Sequence, residues 1–357
     1  MSEEVGGLPL DVTEAYLALS DGFARRDGEV GLLHETHHLR AADGREYVLQ
    51  KVSPVFAPEI HDNIELVSRH LIKRGLFSFL LERTRADALY TMSGSGDRWR
   101  LMTRLPGVSF HQIQTVAQAE SAGQIVGRFH SALEDFTAPL QPMGIPFREP
   151  ALYRENLNRA LSRCADRVRG NEVRAVAHQI DERFEMLGAP YDGRQRVIHG
   201  DLKISNILFD AAGQGEDAPD VATALIDFDT LMRAPLWSEW GDAWRSWCNR
   251  RGEDELGAHF DLEVFTASLQ GFVAGLGSSV ASDERASLVD ATERISLELA
   301  IRYATDALEE SYFAWDSERF DSAYAHNIQR ARGQLALFAA ARECRAERAE
   351  LIEAILG

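Results

Sequence analysis

The stretch Val197-Ile198-His199-Gly200-Asp201-Leu202-Lys203-Ile204-Ser205-Asn206-Ile207-Leu208-Phe209-Asp210 decides the reading of this chain. Two short apolar runs of strand type, Val197-Ile198 and Ile207 to Phe209, enclose a polar turn. A third run, Ala224 to Ile226, leads into Asp227-Phe228-Asp229. Polar side chains therefore stand where strands end. Asp201, Asn206 and Asp227 are hard oxygen donors, and Mg²⁺ takes a few such oxygens together with substrate phosphates rather than a complete protein cage. The set points to phosphoryl transfer.

In the kinase form of that chemistry, an Asp accepts the proton of the attacking hydroxyl. An Asn about five residues on holds a metal, and an Asp on a following strand holds metal against the phosphates. Asp201, Asn206 and Asp227 stand in that order and at that spacing. Lys203, between the base and the Asn, is placed to offset charge on the moving γ-phosphoryl group. His199 is read as shaping the loop by hydrogen bonding. Each turn alone is ordinary loop chemistry in an acidic protein; both at this spacing are not.

Composition sets the frame. A chain of 357 residues with 45% hydrophobic content is long enough for a large core and for two lobes. The net charge of -18, with no Lys/Arg-rich tract, argues against a nucleic-acid backbone or an anionic membrane as partner. Cys164, Cys248 and Cys344 are widely spaced, without metal-ligand grouping, and fit reduced thiols. No unbroken run of about 18 apolar residues occurs, and the N-terminus lacks a basic start followed by an apolar core, so a cytoplasmic protein is expected. Only Lys51, Lys73 and Lys203 are lysines, against 35 arginines by subtraction from 38. A compact ammonium approaches phosphate as a point charge, which a planar guanidinium does not reproduce. Lys51, in the strand-like run Glu46 to Val52, is thus a candidate phosphate ligand. Gln50 faces the opposite way, so only one of the two lines the nucleotide site.

Along the chain, Asp11 to Phe23 reads as a helix with Asp11 as a cap. Strands at 31–39 and 47–52 flank the hairpin turn Ala42-Asp43-Gly44-Arg45. Pro58 to Lys73 has a helical apolar stripe and carries Glu65, the candidate partner of Lys51. Strands follow at 89–92 and 99–104, and Leu105-Pro106-Gly107 is the natural hinge. Ser93-Gly94-Ser95-Gly96-Asp97 reads as a hairpin turn, since no third glycine and no helix start follow it. Beyond the hinge, helices are expected at 115–133, 151–164, 172–187, 262–276, 285–312 and 323–356. The expected architecture is α+β: a protein-kinase-like, two-lobed fold. A small β-rich lobe (1–105) would bind nucleotide, and a large mainly helical lobe (106–357) would carry catalysis and substrate, with the active site in the cleft between them.

At this point the residues resemble the aminoglycoside phosphotransferase and choline kinase superfamily. HGDLKISN at His199 to Asn206 and IDFD at Ile226 to Asp229 carry the likeness. More narrowly, the chain resembles the N-acetylhexosamine 1-kinase branch. YVLQKVSPVFAPEIHDNIELVSRHL, IVGRFHSALEDF, ALIDFDTLM, WSEWGDAWRS, LELAIRYATDALEESYF and HNIQRAR spread that similarity over most of the chain. The resemblance implies ATP, Mg²⁺ and a sugar phosphorylated on its free anomeric hydroxyl. It makes Asp201 the base, Asn206 and Asp227 metal ligands and Asp229 a further ligand, and it brings Arg302 and Tyr312 to the sugar. Trp237, Trp240 and Trp244 offer aromatic faces, with Trp240 the candidate sugar platform, and Asp242 is expected to hydrogen-bond the catalytic loop. Where the branch has a G-H-I-N-x-T type loop, this chain reads Gly31-Leu32-Leu33-His34-Glu35-Thr36, leaving His34 as the polar candidate for the substrate. That departure touches the acceptor side and leaves the phosphoryl-transfer parts intact. The alternatives are an aminoglycoside or amino-alcohol O-phosphotransferase and, from another class, a nucleotide-binding pseudokinase. A protein-substrate kinase is disfavoured by the lack of G-x-G-x-x-G and A-P-E sequences.

Overall fold

The computed structural model describes residues 4–5, 7–26, 34–210, 220–252 and 254–357. The chain separates into two compact units: Met1–Gly107 with Asp135–Ile145 and Ala224–Met232, and Val108–Glu134 with Pro146–Thr223 and Arg233–Gly357. The first unit therefore recruits two later segments that a single division near residue 105 does not anticipate.

The first unit is built on an antiparallel five-stranded sheet of order β3-β4-β5-β7-β6. Its strands are β3 (Phe23–Arg26), β4 (Glu35–Ala41), β5 (Glu46–Val52), β6 (Thr91–Met92) and β7 (Arg98–Thr103). The β4–β5 hairpin closes through Gly44, whose φ of +85° is the left-handed conformation that the Asp-Gly pair announces. Strand alternation sends Leu39, Ala41, Tyr47, Leu49, Trp99 and Leu101 to one face, where they pack on Leu8, Val12, Tyr16 and Leu19 of the N-terminal segment. That segment holds the two-residue strands β1 (Glu4–Val5) and β2 (Leu8–Pro9) and the short helix α1 (Leu10–Glu14). The expected helix to Phe23 is cut short. Tyr16 turns extended so that its hydroxyl reaches the Trp99 carbonyl, and Phe23 is drawn into the sheet opposite Ala41. Asp11 is no cap either: its carboxylate accepts from Val12 N and Gly94 N. Helix α2 (Ile60–Lys73) buries Ile60, Ile64, Val67 and Leu71, the expected 3.6-residue stripe. Residues 135–145 belong to this unit because Asn63 exchanges two hydrogen bonds with the Gln141 backbone and Ala57 N donates to Met143 O.

The second unit is mainly helical: α3 (Val116–Ala132), α4 (Pro150–Arg163), α5 (Arg167–Leu187), α6 (Leu236–Trp247), α7 (Leu262–Leu276), α8 (Ser282–Leu288), α9 (Ala291–Glu309), α10 (Ala323–Glu343) and α11 (Arg345–Leu356). Short strands β8 (Arg196–Ile198) and β9 (Ile207–Phe209) bracket the loop carrying Asp201, and β10 (Ala222–Leu225) and β11 (Met232–Ala234) pair with β9 and β8. Helices α3 and α7 approach backbone to backbone at four glycines, Gly123 and Gly127 of α3 and Gly271 and Gly275 of α7. A Cβ built on Gly271 would fall on the Glu120 carbonyl oxygen, and one on Gly123 on that of Ser268. The two longest expected helices are each broken. One ends at Leu288 and restarts after Asp290; the other ends at Cys344. The breaks serve each other, since Arg342 and Arg345 grip the Asp290 carboxylate and buried Arg348 joins Val289 O, Ala341 O and Glu293.

The α+β, protein-kinase-like class expected from sequence is the observed one.

Candidate active site

In the second unit the loop from His199 to Asn206 is held almost atom by atom. The fully buried Glu239 of α6 accepts from the His199 and Gly200 backbone N–H groups, at 2.9 and 3.0 Å. Trp247 donates its indole N–H to Leu202 O at 2.7 Å, and Ser246 Oγ accepts from Ile204 N at 3.3 Å. The tryptophan-rich helix thus serves as the bed of this loop. Asp201 Oδ2 takes Lys203 Nζ at 2.8 Å and Asn206 Nδ2 at 3.2 Å, and Asn206 Nδ2 also reaches Asp201 O at 2.8 Å. Asn206 is oriented through its amide nitrogen, so its Oδ1 is the atom with coordinating chemistry. Burial by itself would push the Asp201 carboxyl up; the Lys203 ammonium, with His199 and Arg245, outweighs it and brings Asp201 down to about 2. The group is a carboxylate at neutral pH, the form a general base requires.

The Gly200 peptide is gripped from its other side as well. Arg148, with φ at +59°, buries its side chain and donates Nη2 to Gly200 O at 2.9 Å. The same group meets Asp242 Oδ1 at 3.4 Å and Glu298 Oε1 at 3.3 Å. Burial drives the Glu298 carboxyl above its ordinary value, and Arg148 and Arg302 recover only part of that. One turn along α9, the Arg302 guanidinium is walled by the rings of Tyr153, Tyr312 and Phe313 at 5.6, 5.3 and 5.4 Å, and its Nη2 lies 3.2 Å from the Tyr312 hydroxyl. Among the described residues no carboxylate pairs with Arg302: Glu298 is turned to Arg148, and Asp306 accepts from the Ser311, Tyr312 and Phe313 backbone.

In the first unit, Asp227, two residues past the end of β10, adopts the left-handed conformation, φ +68° and ψ +64°. Asp229 is buried two residues on. Arg100 donates to both its oxygens, at 2.5 and 3.1 Å, and His34 Nε2 lies 2.6 Å from Oδ2. Burial would raise the Asp229 carboxyl, yet Arg100 and His34 hold it far below the usual carboxylate range. His34, Asp227 and Asp229 bring one ligand atom each to within 4.8 Å of one another. As a cation site the trio is compromised, because a guanidinium already spans Asp229. The half-buried Asp227 has the right chemistry for a hard divalent ion.

Residues 29–271, well over half of the chain, match the phosphotransferase enzyme family, APH. The chain belongs to that family. Solved structures of similar fold include an aminoglycoside phosphotransferase from Alicyclobacillus acidocaldarius subsp. acidocaldarius DSM 446, 17% identical over 97% of this chain and 98% of that one, with a TM-score of 0.55. A microcompartment-associated aminopropanol kinase is 14% identical over 95% and 97%, with a TM-score of 0.60. The amicoumacin kinase hAmiN, solved with AMP-PNP and Ca²⁺, is 12% identical over 94% and 91%, with a TM-score of 0.56. At these identities the likeness establishes the shared fold. Its family membership makes the protein a phosphotransferase.

Several residues of this phosphotransferase are placed otherwise than its sequence suggests. Trp240 is 0% exposed, packed on Trp244, Trp247 and Phe272, and offers no face to a sugar. Its aromatic spacing is that of a buried helix face. His34 spends one ring nitrogen on Asp229 and receives Ser53 N on the other, so both are engaged within the protein. The adjoining Gly31, Leu32 and Leu33 lie outside the described residues. Lys51 and Glu65 are not partners: Lys51 Nζ reaches Asp97 at 2.9 Å, while Glu65 Oε1 accepts from Arg69 and Arg83. Gln50 lies between Thr36 and Arg100. Asp242 meets Arg148 and Arg245, and Glu239, one turn earlier, holds the loop backbone in its place. Arg302 and Tyr312 do come together, with Tyr312 36% exposed. Glu239, Arg148 and Arg100 were missed from sequence. The one available signal was Glu239's place one turn before Asp242 on the face that buries three tryptophans.

Proposed function

We propose that this phosphotransferase moves the γ-phosphoryl group of Mg-ATP to a hydroxyl of a small neutral acceptor, foremost the anomeric hydroxyl of a hexose or N-acetylhexosamine, giving a sugar 1-phosphate. The carrying observation is the ionised Asp201 carboxylate, fixed at 2.8 Å from Lys203 and oriented by Asn206. Asp201 takes the proton of the acceptor hydroxyl as the new O–P bond forms, ADP leaves, and Lys203 offsets charge on the transferring group. Asn206 and Asp227 would hold the divalent ion, which screens the phosphates when bound. The caged Arg302, with no carboxylate partner among the described residues, supports an uncharged acceptor over a polycationic one.

The second reading is an aminoglycoside or amino-alcohol kinase, favoured by the acceptors that the names of the aminoglycoside phosphotransferase and the aminopropanol kinase give. Incubation with Mg-ATP and a panel of free sugars, amino alcohols and aminoglycosides, followed by ³¹P NMR, separates the two. Free hexoses or N-acetylhexosamines should give an anomeric phosphate signal and their methyl glycosides none. Phosphorylation of amino alcohols with every free sugar untouched would replace the first reading by the second.

A further inference from the structure

Kinases carry a lysine on the strand before the first large helix and pair it with a glutamate of that helix. The first unit keeps the strand, β5, and the helix, α2, but wires them differently. Along β5, Tyr47, Leu49 and Lys51 share one face, and Val48, Gln50 and Val52 share the other. The face of Tyr47 and Leu49 is the one packed on the N-terminal segment, and Lys51 at its end turns to Asp97 at the sheet margin. Gln50 stands on the opposite face, in register with Arg100 of β7. The Arg100 side chain, 2% exposed, donates Nε and Nη2 to Gln50 Oε1 at 3.0 and 2.7 Å and spans Asp229. Gln50 in turn donates to Thr36 Oγ1 at 3.2 Å. The cation facing the Asp227-Phe228-Asp229 turn therefore lies one strand over from where a kinase keeps its lysine.

A non-glycine residue in the left-handed region is strained, Asp less than most, and persists only when its surroundings over-determine it. Asp227 has that conformation, and Asp229 is the buried anchor two residues on. Moreover, a divalent ion on Asp229 would lie within a few ångströms of the Arg100 guanidinium in a low-dielectric site, where like charges repel strongly. We infer that Arg100, and not Lys51, is the positioning cation of the metal turn: acting through Asp229, with Gln50 and His34 steering it, it fixes Asp227 as the carboxylate offered to the ion.

This rests on the phosphoryl-transfer reading, and the test separates the two. Binding of Mn²⁺ in the presence of ADP is followed by the EPR signal of free Mn²⁺, alongside kcat and the KM for ATP. D227N should abolish Mn²⁺ binding. R100Q and D229N should each weaken it by about tenfold or more, the usual consequence of removing a ligand's supporting partner. The double variant R100Q/D229N should be no worse than either single one, because both act through one contact. It also removes both buried charges together, so it keeps the test usable if R100Q alone fails to fold. K51M should change binding by less than about threefold. Q50K/R100Q, which returns an ammonium to the strand on the same face, should recover part of the loss in kcat. Additive losses in R100Q and D229N, or a K51M loss equal to that of R100Q, would overturn the inference alone. Wild-type protein that binds no Mn²⁺ with ADP would overturn the phosphoryl-transfer reading and this inference with it.

Discussion

Asp201 keeps its charge in a half-buried place because Lys203, His199 and Arg245 outweigh desolvation, and this has a readable sign. Its carboxyl falls from an ordinary 3.8 to about 2 on folding. A depressed carboxyl contributes stability that is present in full above the unfolded value and lost as pH falls through the folded one. Wild-type protein should thus lose more stability than D201N between about pH 4 and pH 2, measured by urea unfolding at each pH. Equal acid sensitivity of the two proteins would show that Asp201 gains nothing from its neighbours. Of the proposed site, Asp201, Lys203, Asn206 and Asp227 can be picked out from the sequence because their chemistry is local, a few unusual residue types at the ends of apolar runs. Glu239, Arg148 and Arg100 cannot be: their contacts span 40, 52 and 129 residues, and one arginine among 35 gives no local signal. Lys51 misled for the same reason. Alternation placed it opposite Gln50, but which face met the Asp227–Asp229 turn depended on a segment nearly 180 residues on, by the numbers of the two positions.

At the scale of elements, apolar periodicity located α2, α3 and α7 almost to the residue, since each has a cap or a buried stripe written locally. The breaks near Asp290 and at Cys344 were invisible, because they exist only to bring arginines of α10 and α11 onto Asp290 and Val289. The crossing of α3 and α7 is set by four glycines that read separately as neutral. Gly271→Ala drives a methyl group into the Glu120 carbonyl, a backbone atom that no rotamer change can relieve. It should cost about 1 to 3 kcal/mol, seen as a lower urea midpoint. An unchanged midpoint would mean that the helices part at little cost.

For the whole molecule, a net charge of -18 implies self-repulsion that salt relieves. Raising ionic strength from about 10 mM to about 0.3 M should increase Tm by a few degrees. A fall would show that exposed ion pairs outweigh the net repulsion. The α+β class was legible at this scale because strand-rich and helix-rich stretches are segregated along the chain, whereas the return of residues 135–145 and 224–232 to the first unit was not, being fixed by packing alone. Arg148 bears on how such an enzyme can diversify. One guanidinium bolts the peptide beside Asp201 to the helix that carries the aromatic-walled arginine. With the roles proposed above, redesigning that helix for a different acceptor will tug on Asp201 too, so that altered preference and altered turnover should arrive as one inheritance rather than two.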